Sequence, residues 1–191
     1  MSSHPVTFIT PEQYLTAERK AERKSEYLNG EVFAMAGASR RHVRIVGNID
    51  TSLNVQLQDG ECEVFAVDLR VRVNPRGDYM YAYPDISVAC GEPLFEDGLF
   101  DTLLNPKVII EVLSPTTESS DRGPKAALYR KLDSLFEYVL VAQDRVRVEH
   151  FVRQPSGEWT TVEKDSLQDA IELSSIAVSL PLSDIYRRVK F

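Results

Sequence analysis

The chain has 191 residues, a hydrophobic share of 43%, a charged share of 27% and a formal net charge of −7. That length suits one domain with a substantial core, and the negative balance excludes a general, sequence-independent nucleic-acid coat, which needs a basic surface. No apolar run approaches the roughly 18 residues of a membrane-spanning helix, so no membrane association is expected.

The opening MSSHPVTFITPEQ lacks the basic start and apolar core of a signal peptide. Thr10, Pro11 and Gln13 form a capping-box start, and the alternating charges of AERKAERKSE carry the expected helix to about Glu26. Asn29-Gly30 between TyrLeu and GluValPhe is a hairpin signal. On its second strand Glu31, Phe33 and Met35 share one face, which makes Glu31 a carboxylate on a partly apolar side. Ser39 can cap a helix of about His42 to Leu57, whose apolar residues Ile45, Val46, Ile49, Leu53 and Leu57 keep helical spacing. His42 falls on that stripe, where a lone histidine is more often a core residue than a catalyst. Basic residues bunch at Arg40, Arg41 and Arg44, and again at Arg70, Arg72 and Arg76.

Cys62 to Val67 and Leu69 to Val73 read as strands, with Asp68 marking a bulge between them. Asn74 to Asp78 is a loop. Cys62 and Cys90 lie in apolar segments and read as buried free thiols, which points to a cytoplasmic location. The next strand, Pro84 to Cys90, turns Ile86, Val88 and Cys90 one way and Asp85 and Ser87 the other. An acidic connector from Gly91 to Asp101 carries no assigned chemistry. Lys107 to Leu113 is continuously apolar, as a central strand should be, and puts Glu111 on the face of Ile109 and Leu113.

A helix of about Gly123 to Leu132 follows. Lys125, Leu128, Tyr129 and Leu132 fall at i, i+3, i+4 and i+7, so Lys125 opens the buried stripe, where a solvated lysine would not be placed. Asp121, four residues earlier, can orient Lys125 or cap the helix; Tyr129 reads first as core. Glu137 to Ala142, Arg145 to Val152, Trp159 to Val162, Ile171 to Leu173 and Ile176 to Leu180 are strands, and Ser183 is placed to cap a last short helix to Val189. The whole is an α+β domain spanning residues 1–191, with a mixed sheet flanked by helices and extra β-hairpins.

Buried acids are costly unless something pairs with them. Asp85, Glu111 and Lys125 therefore mark either a structural ion network or a metal site. Phosphodiester hydrolysis needs a divalent cation on oxygen ligands, commonly one or two carboxylates plus water and phosphate, and a lysine can stabilise the charge gathering on phosphorus. A glycosidase pair is the weaker alternative, since Trp159 is the chain's single tryptophan.

The segments PDISVAC, VIIEVLSPTTESSDRGPKAALYRKL and EYVLV, with YLNGEVFAMAGAS, His42 and DLRVRV upstream, resemble the Uma-two family of restriction-endonuclease-like proteins, from about Pro11 to Val189. The resemblance implies the PD-(D/E)xK nuclease fold, a Mg²⁺ or Mn²⁺ cofactor, a DNA substrate and a homodimer. It maps Asp85 and Glu111 onto the family's metal-binding acids and Glu31 onto an additional acid near the metal. Leu113 stands where the general pattern expects lysine, and the family's lysine corresponds to Lys125. A catalytically silent nuclease-fold module, binding nucleic acid or a protein partner, is the competing expectation.

Overall fold

The computed structural model describes residues 8–74 and 77–191. The chain runs α1 (Pro11–Glu18), β1 (Ser25–Leu28), β2 (Glu31–Ala34), α2 (Arg40–Leu57), β3 (Cys62–Ala66), β4 (Arg70–Val73), β5 (Met80–Ala82), β6 (Ile86–Cys90), β7 (Thr102–Leu103) and β8 (Val108–Leu113). It continues through α3 (Glu118–Arg122), α4 (Pro124–Tyr129), β9 (Glu137–Ala142), β10 (Val148–Arg153), β11 (Trp159–Lys164), β12 (Ala170–Leu173), β13 (Val178–Pro181) and α5 (Leu182–Ile185). The architecture is mixed α+β, as expected. Pro75 and Arg76 of the expected loop, and residues 1–7, lie outside the described residues.

A six-stranded sheet in the order β11-β10-β9-β8-β6-β3 forms the centre, and a five-stranded sheet in the order β2-β1-β5-β4-β7 is a second hydrogen-bonded unit. β8 and β9 run parallel while β6 and β8 run antiparallel. A parallel neighbour requires a crossover, and α3 and α4 supply it. β8 is buried along its whole length because both faces are covered. Ile110 and Val112 join Ile45, Ile49 and Leu53 of α2 in one apolar cluster. Ile109 and Leu113 join Leu128 and Tyr129 of α4, and Val71, Val73 and Met80 of the smaller sheet, in another. Burying each such aliphatic side chain is worth about 1.5–3 kcal/mol. Glu111 shares the second face, and that alternation sets the site.

Local chemistry explains the element boundaries. Thr10 and Gln13 make the capping box, with Gln13 N donating to Thr10 Oγ1 at 3.2 Å and Thr10 N to Gln13 Oε1 at 2.8 Å. Ser39 caps α2, accepting from His42 N at 3.1 Å. Asn29 and Gly30 have φ of 46° and 95°, the two left-handed residues a tight hairpin turn requires.

Four expectations are corrected. α1 stops at Glu18, not Glu26, because the charged run beyond it has no apolar stripe to bury; Ser25–Leu28 instead pairs with β2 and β5. The helix expected over Gly123–Leu132 is confined to α4. It is set off from α3 at Gly123, where a Cβ would meet the Ser119 carbonyl oxygen at 2.8 Å. Ser183 does not cap α5, whose N-cap is Pro181. Cys62 and Cys90 are not free thiols: they sit directly opposite one another on β3 and β6 and are joined as a disulfide, which removes the argument that pointed to the cytoplasm. Among the described residues no helix is long and apolar enough to cross a membrane.

Candidate active site

Glu111 is delivered by β8, Asp85 by the residue just ahead of β6, and Lys125 by the first turn of α4. The three converge. Lys125 Nζ lies 2.9 Å from Glu111 Oε1, and Glu111 Oε2 lies 3.4 Å from the Asp85 backbone N. Asp85 is fixed at both oxygens: Oδ2 accepts from Val112 N at 2.7 Å and Oδ1 faces His42 Nε2 at 2.7 Å. A carboxylate held at two points keeps one orientation, and each oxygen retains a lone pair for a further partner.

Around this centre stand Asp121, with Oδ1 3.1 Å from Lys125 Nζ, and Tyr129, whose hydroxyl donates to Glu111 Oε1 at 3.3 Å. Asp121 therefore pairs with Lys125 and does not cap α4. Its Oδ1 is buried outside hydrogen-bonding geometry. His42 is at the mouth of the cluster and not in the aliphatic core of α2. Glu31 is not brought in: it is exposed on β2, two residues nearer the turn than Phe33.

The acid that occupies the expected place of Glu31 is Glu26, at the end of the charged run whose pattern predicts helix. Glu26 Oε1 lies 3.0 Å from Lys125 Nζ and accepts from Tyr83 N at 3.1 Å. The signal for it was present in the hairpin. Strands extending equally on both sides of Asn29-Gly30 pair Leu28 with Glu31, Tyr27 with Val32 and Glu26 with Phe33.

The electrostatics are unbalanced. Three carboxylates, Glu26, Glu111 and Asp121, surround one ammonium, Asp85 stands beside Glu111, and Glu111 is 4% exposed. Burial pushes the Glu111 carboxyl well above its ordinary range; the Lys125 charge opposes this, while Asp121, Asp85 and Glu26 add to it. For Lys125 burial works against the charge, yet Glu111, Tyr129, Glu26 and Asp121 together hold its pKa well above the ordinary lysine value. Lys125 is thus a permanent cation with too few charges to neutralise its neighbours.

Such an oxygen-only donor set fits a hard divalent cation. Among the described residues no group of three or more His, Cys, Asp or Glu side chains is placed to hold a metal ion; an ion here would have two protein ligands, Asp85 and Glu111, and complete its shell with water and substrate oxygens. That pattern suits Mg²⁺ better than a structural metal. The cluster forms the floor of a cleft of about 1250 Å³, walled by the β1–β2 hairpin, the start of α2 and the loop after β8.

Residues 11–183 match the model of the Uma2 family, described as "Putative restriction endonuclease". The chain belongs to the Uma2 family. It is 34% identical over 190 residues to the protein slr1290 of Synechocystis sp., covering 99% of this chain and 97% of that one. A second Synechocystis protein, sll1609, is 34% identical over 170 residues, covering 89% and 95%. A crystal structure from Anabaena variabilis, described as "a putative nuclease", superposes with a TM-score of 0.75 at 20% identity, covering 93% of this Uma2 chain and 97% of its own. The fold is that of this neighbour, and the sequence resemblance to the family is confirmed.

Proposed function

We propose that this Uma2 protein is a divalent-cation-dependent nuclease that hydrolyses phosphodiester bonds of DNA. The observation that carries the reading is the convergence of Asp85, Glu111 and Lys125, from three separate elements, at the floor of one cleft. Mg²⁺ or Mn²⁺, held by Asp85 and Glu111, would supply charge neutralisation at the phosphate and a more acidic attacking water. The protein's own groups have distinct tasks. His42 and the Val112 amide hold Asp85 in one orientation. Lys125, kept protonated by its acidic neighbours, donates to the oxygen on which negative charge gathers. Glu26 and Asp121 fix that ammonium, and Tyr129 keeps Glu111 turned toward it. The homodimer belongs to the same reading and is tested by sedimentation.

The test is cleavage of plasmid and oligonucleotide DNA by purified protein with and without Mn²⁺. The expected outcome is metal-dependent cutting that falls at least about 100-fold in Asp85→Ala, the scale of losing one charge-stabilising group. Cutting that survives Asp85→Ala or Glu111→Ala refutes the assignment. The silent-module reading draws support from one observation: Lys125 is already engaged by three carboxylates. Calorimetry with Mn²⁺ separates the two, because a silent module gives no carboxylate-dependent heat.

A further inference from the structure

Of the lysines and arginines that line the cleft, Lys24, Arg41, Lys125 and Arg145, three are already engaged. Lys24 pairs with Asp68, Arg145 with Asp144 at 2.9 Å, and Lys125 with the acid cluster. Arg41 belongs to a larger group at the mouth, assembled from two distant stretches of sequence. Arg40, Arg41 and Arg44 open α2, while Arg187, Arg188 and Lys190 follow α5. The fold joins the two sets. Asn48 Nδ2 donates to the carbonyls of Ile185 and Arg187, both at 2.9 Å, and Arg41 Nε donates to the Lys190 carbonyl at 2.7 Å. Residues 185–190 therefore lie along α2. Arg40, Arg44 and Asn48 are spaced i, i+4 and i+8, and Arg41, Arg44 and Asn48 i, i+3 and i+7, so all three arginines share the helix face that carries this segment.

All six side chains are exposed, and among the described residues none of them is in an ion pair. A chain of net charge −7 thus leaves six of its 22 lysines and arginines in one ridge without a counter-charge. The placement also opposes the fold's own electrostatics. α2 has no acid in its first turn, and cations at a helix N-terminus are repelled by its dipole. The ridge leads to the site. Arg41 and His42 both line the cleft, and His42 Nε2 is 2.7 Å from Asp85 Oδ1. From Arg40 to Asn48 the helix rises about 12 Å, a length over which duplex DNA, with about one charge per 1.7 Å of axis, presents several phosphates.

We propose that this ridge binds the phosphate backbone of DNA beside the cleft, so that the strand to be cut passes from α2 across Asp85 to the acid cluster. The ridge holds the backbone by charge and reads no sequence. Arg41 keeps both terminal amino groups for this, since its bond to Lys190 uses Nε alone. That the polyanion is DNA rests on the nuclease reading; the ridge itself rests on the placement of charge. Its continuity with the candidate site favours DNA over an acidic protein.

Fluorescence anisotropy of a labelled DNA duplex, measured in EDTA over a range of NaCl concentrations, tests binding without cleavage. Arg40→Ala/Arg44→Ala and Arg187→Ala/Arg188→Ala should each weaken binding at least about 10-fold at low salt. Each should also reduce the slope of log affinity against log salt by about 1.8, the counterion release of two phosphate contacts. Lys20→Ala/Lys131→Ala removes the same charge from residues outside the cleft lining and should change affinity by less than about 2-fold. The substituted side chains are exposed, so circular dichroism should show the fold retained, and Arg40→Lys/Arg44→Lys should keep the slope. No duplex binding, an equal loss in the control pair, an unchanged slope in both ridge pairs, or ridge variants that alter only self-association overturns the proposal. Ridge-dependent binding without Asp85-dependent cutting in Mn²⁺ upholds the ridge and overturns the nuclease reading alone.

Discussion

Glu111 on β8 and Glu137 on β9 are both buried in the parallel pair at the centre of the sheet, 4% and 0% exposed. Glu137 lies on the α2 side with Val139 and Val141, and its needs are met: His150 Nε2 pairs with Oε2, and Ser175 N donates to Oε1 at 2.7 Å. It opens onto nothing. Glu111 lies on the opposite face, shares one lysine with two other acids, Glu26 and Asp121, and opens onto a cleft. Burial of an acid is therefore not itself a sign of chemistry. The imbalance of charge and the access to solvent separate a candidate site from a sealed ion pair.

That contrast can be broken by substitution. Glu137→Ala should cost about 3 kcal/mol of stability, because it leaves His150 buried without its partner, while cutting per folded molecule is unchanged. Denaturant melts alongside the nuclease assay check both halves. Glu111→Gln should do the reverse: activity is lost, and stability changes by no more than about 1 kcal/mol in either direction, since it removes one charge from an overfilled cluster. A large destabilisation there would mean that the cluster is structural after all.

A third test lies away from both. Asp101 binds Arg19 through two hydrogen bonds of 2.8 Å and also pairs with Arg70. The Arg19 hydrogen bonds, opposed by partial burial and reinforced by Arg70, hold its carboxyl well below the ordinary range. A depressed folded-state pKa adds stability above the unfolded value, about 3.9, and loses it as pH falls through the folded value. Asp101→Asn should thus lower stability at neutral pH and flatten its decline in acid, seen in melts from neutral pH downward. The smallest effect is expected of Glu31→Gln, which should leave cutting and melting unchanged; a loss of cutting would return Glu31 to the site.

The parts of the site carried by regular elements were legible in the sequence. A lysine on the buried stripe of α4 and an acid on the covered face of β8 follow from the periods 3.6 and 2, and both are found where those periods put them. Glu26 was hidden because ten residues of alternating charge look helical locally, whereas their lack of an apolar face lets the hairpin take the end of the run. His42 sat on the expected helix face, but position within the first turn, beside Asp85, matters more than the stripe. The disulfide could not be read at all: Cys62 and Cys90 become partners only through the register of two strands that the sequence does not pair.

That cross-strand bond joins residues 28 apart in the chain and makes β3 through β6 a covalent ring. The ring includes Asp85 and two of the three inner strands of the five-stranded sheet, β4 and β5. A protease that nicked the ring once would yield two pieces on a reducing gel and one on a non-reducing gel. The acid cluster's attachment to the rest of the chain would then depend on the thiol state of its surroundings.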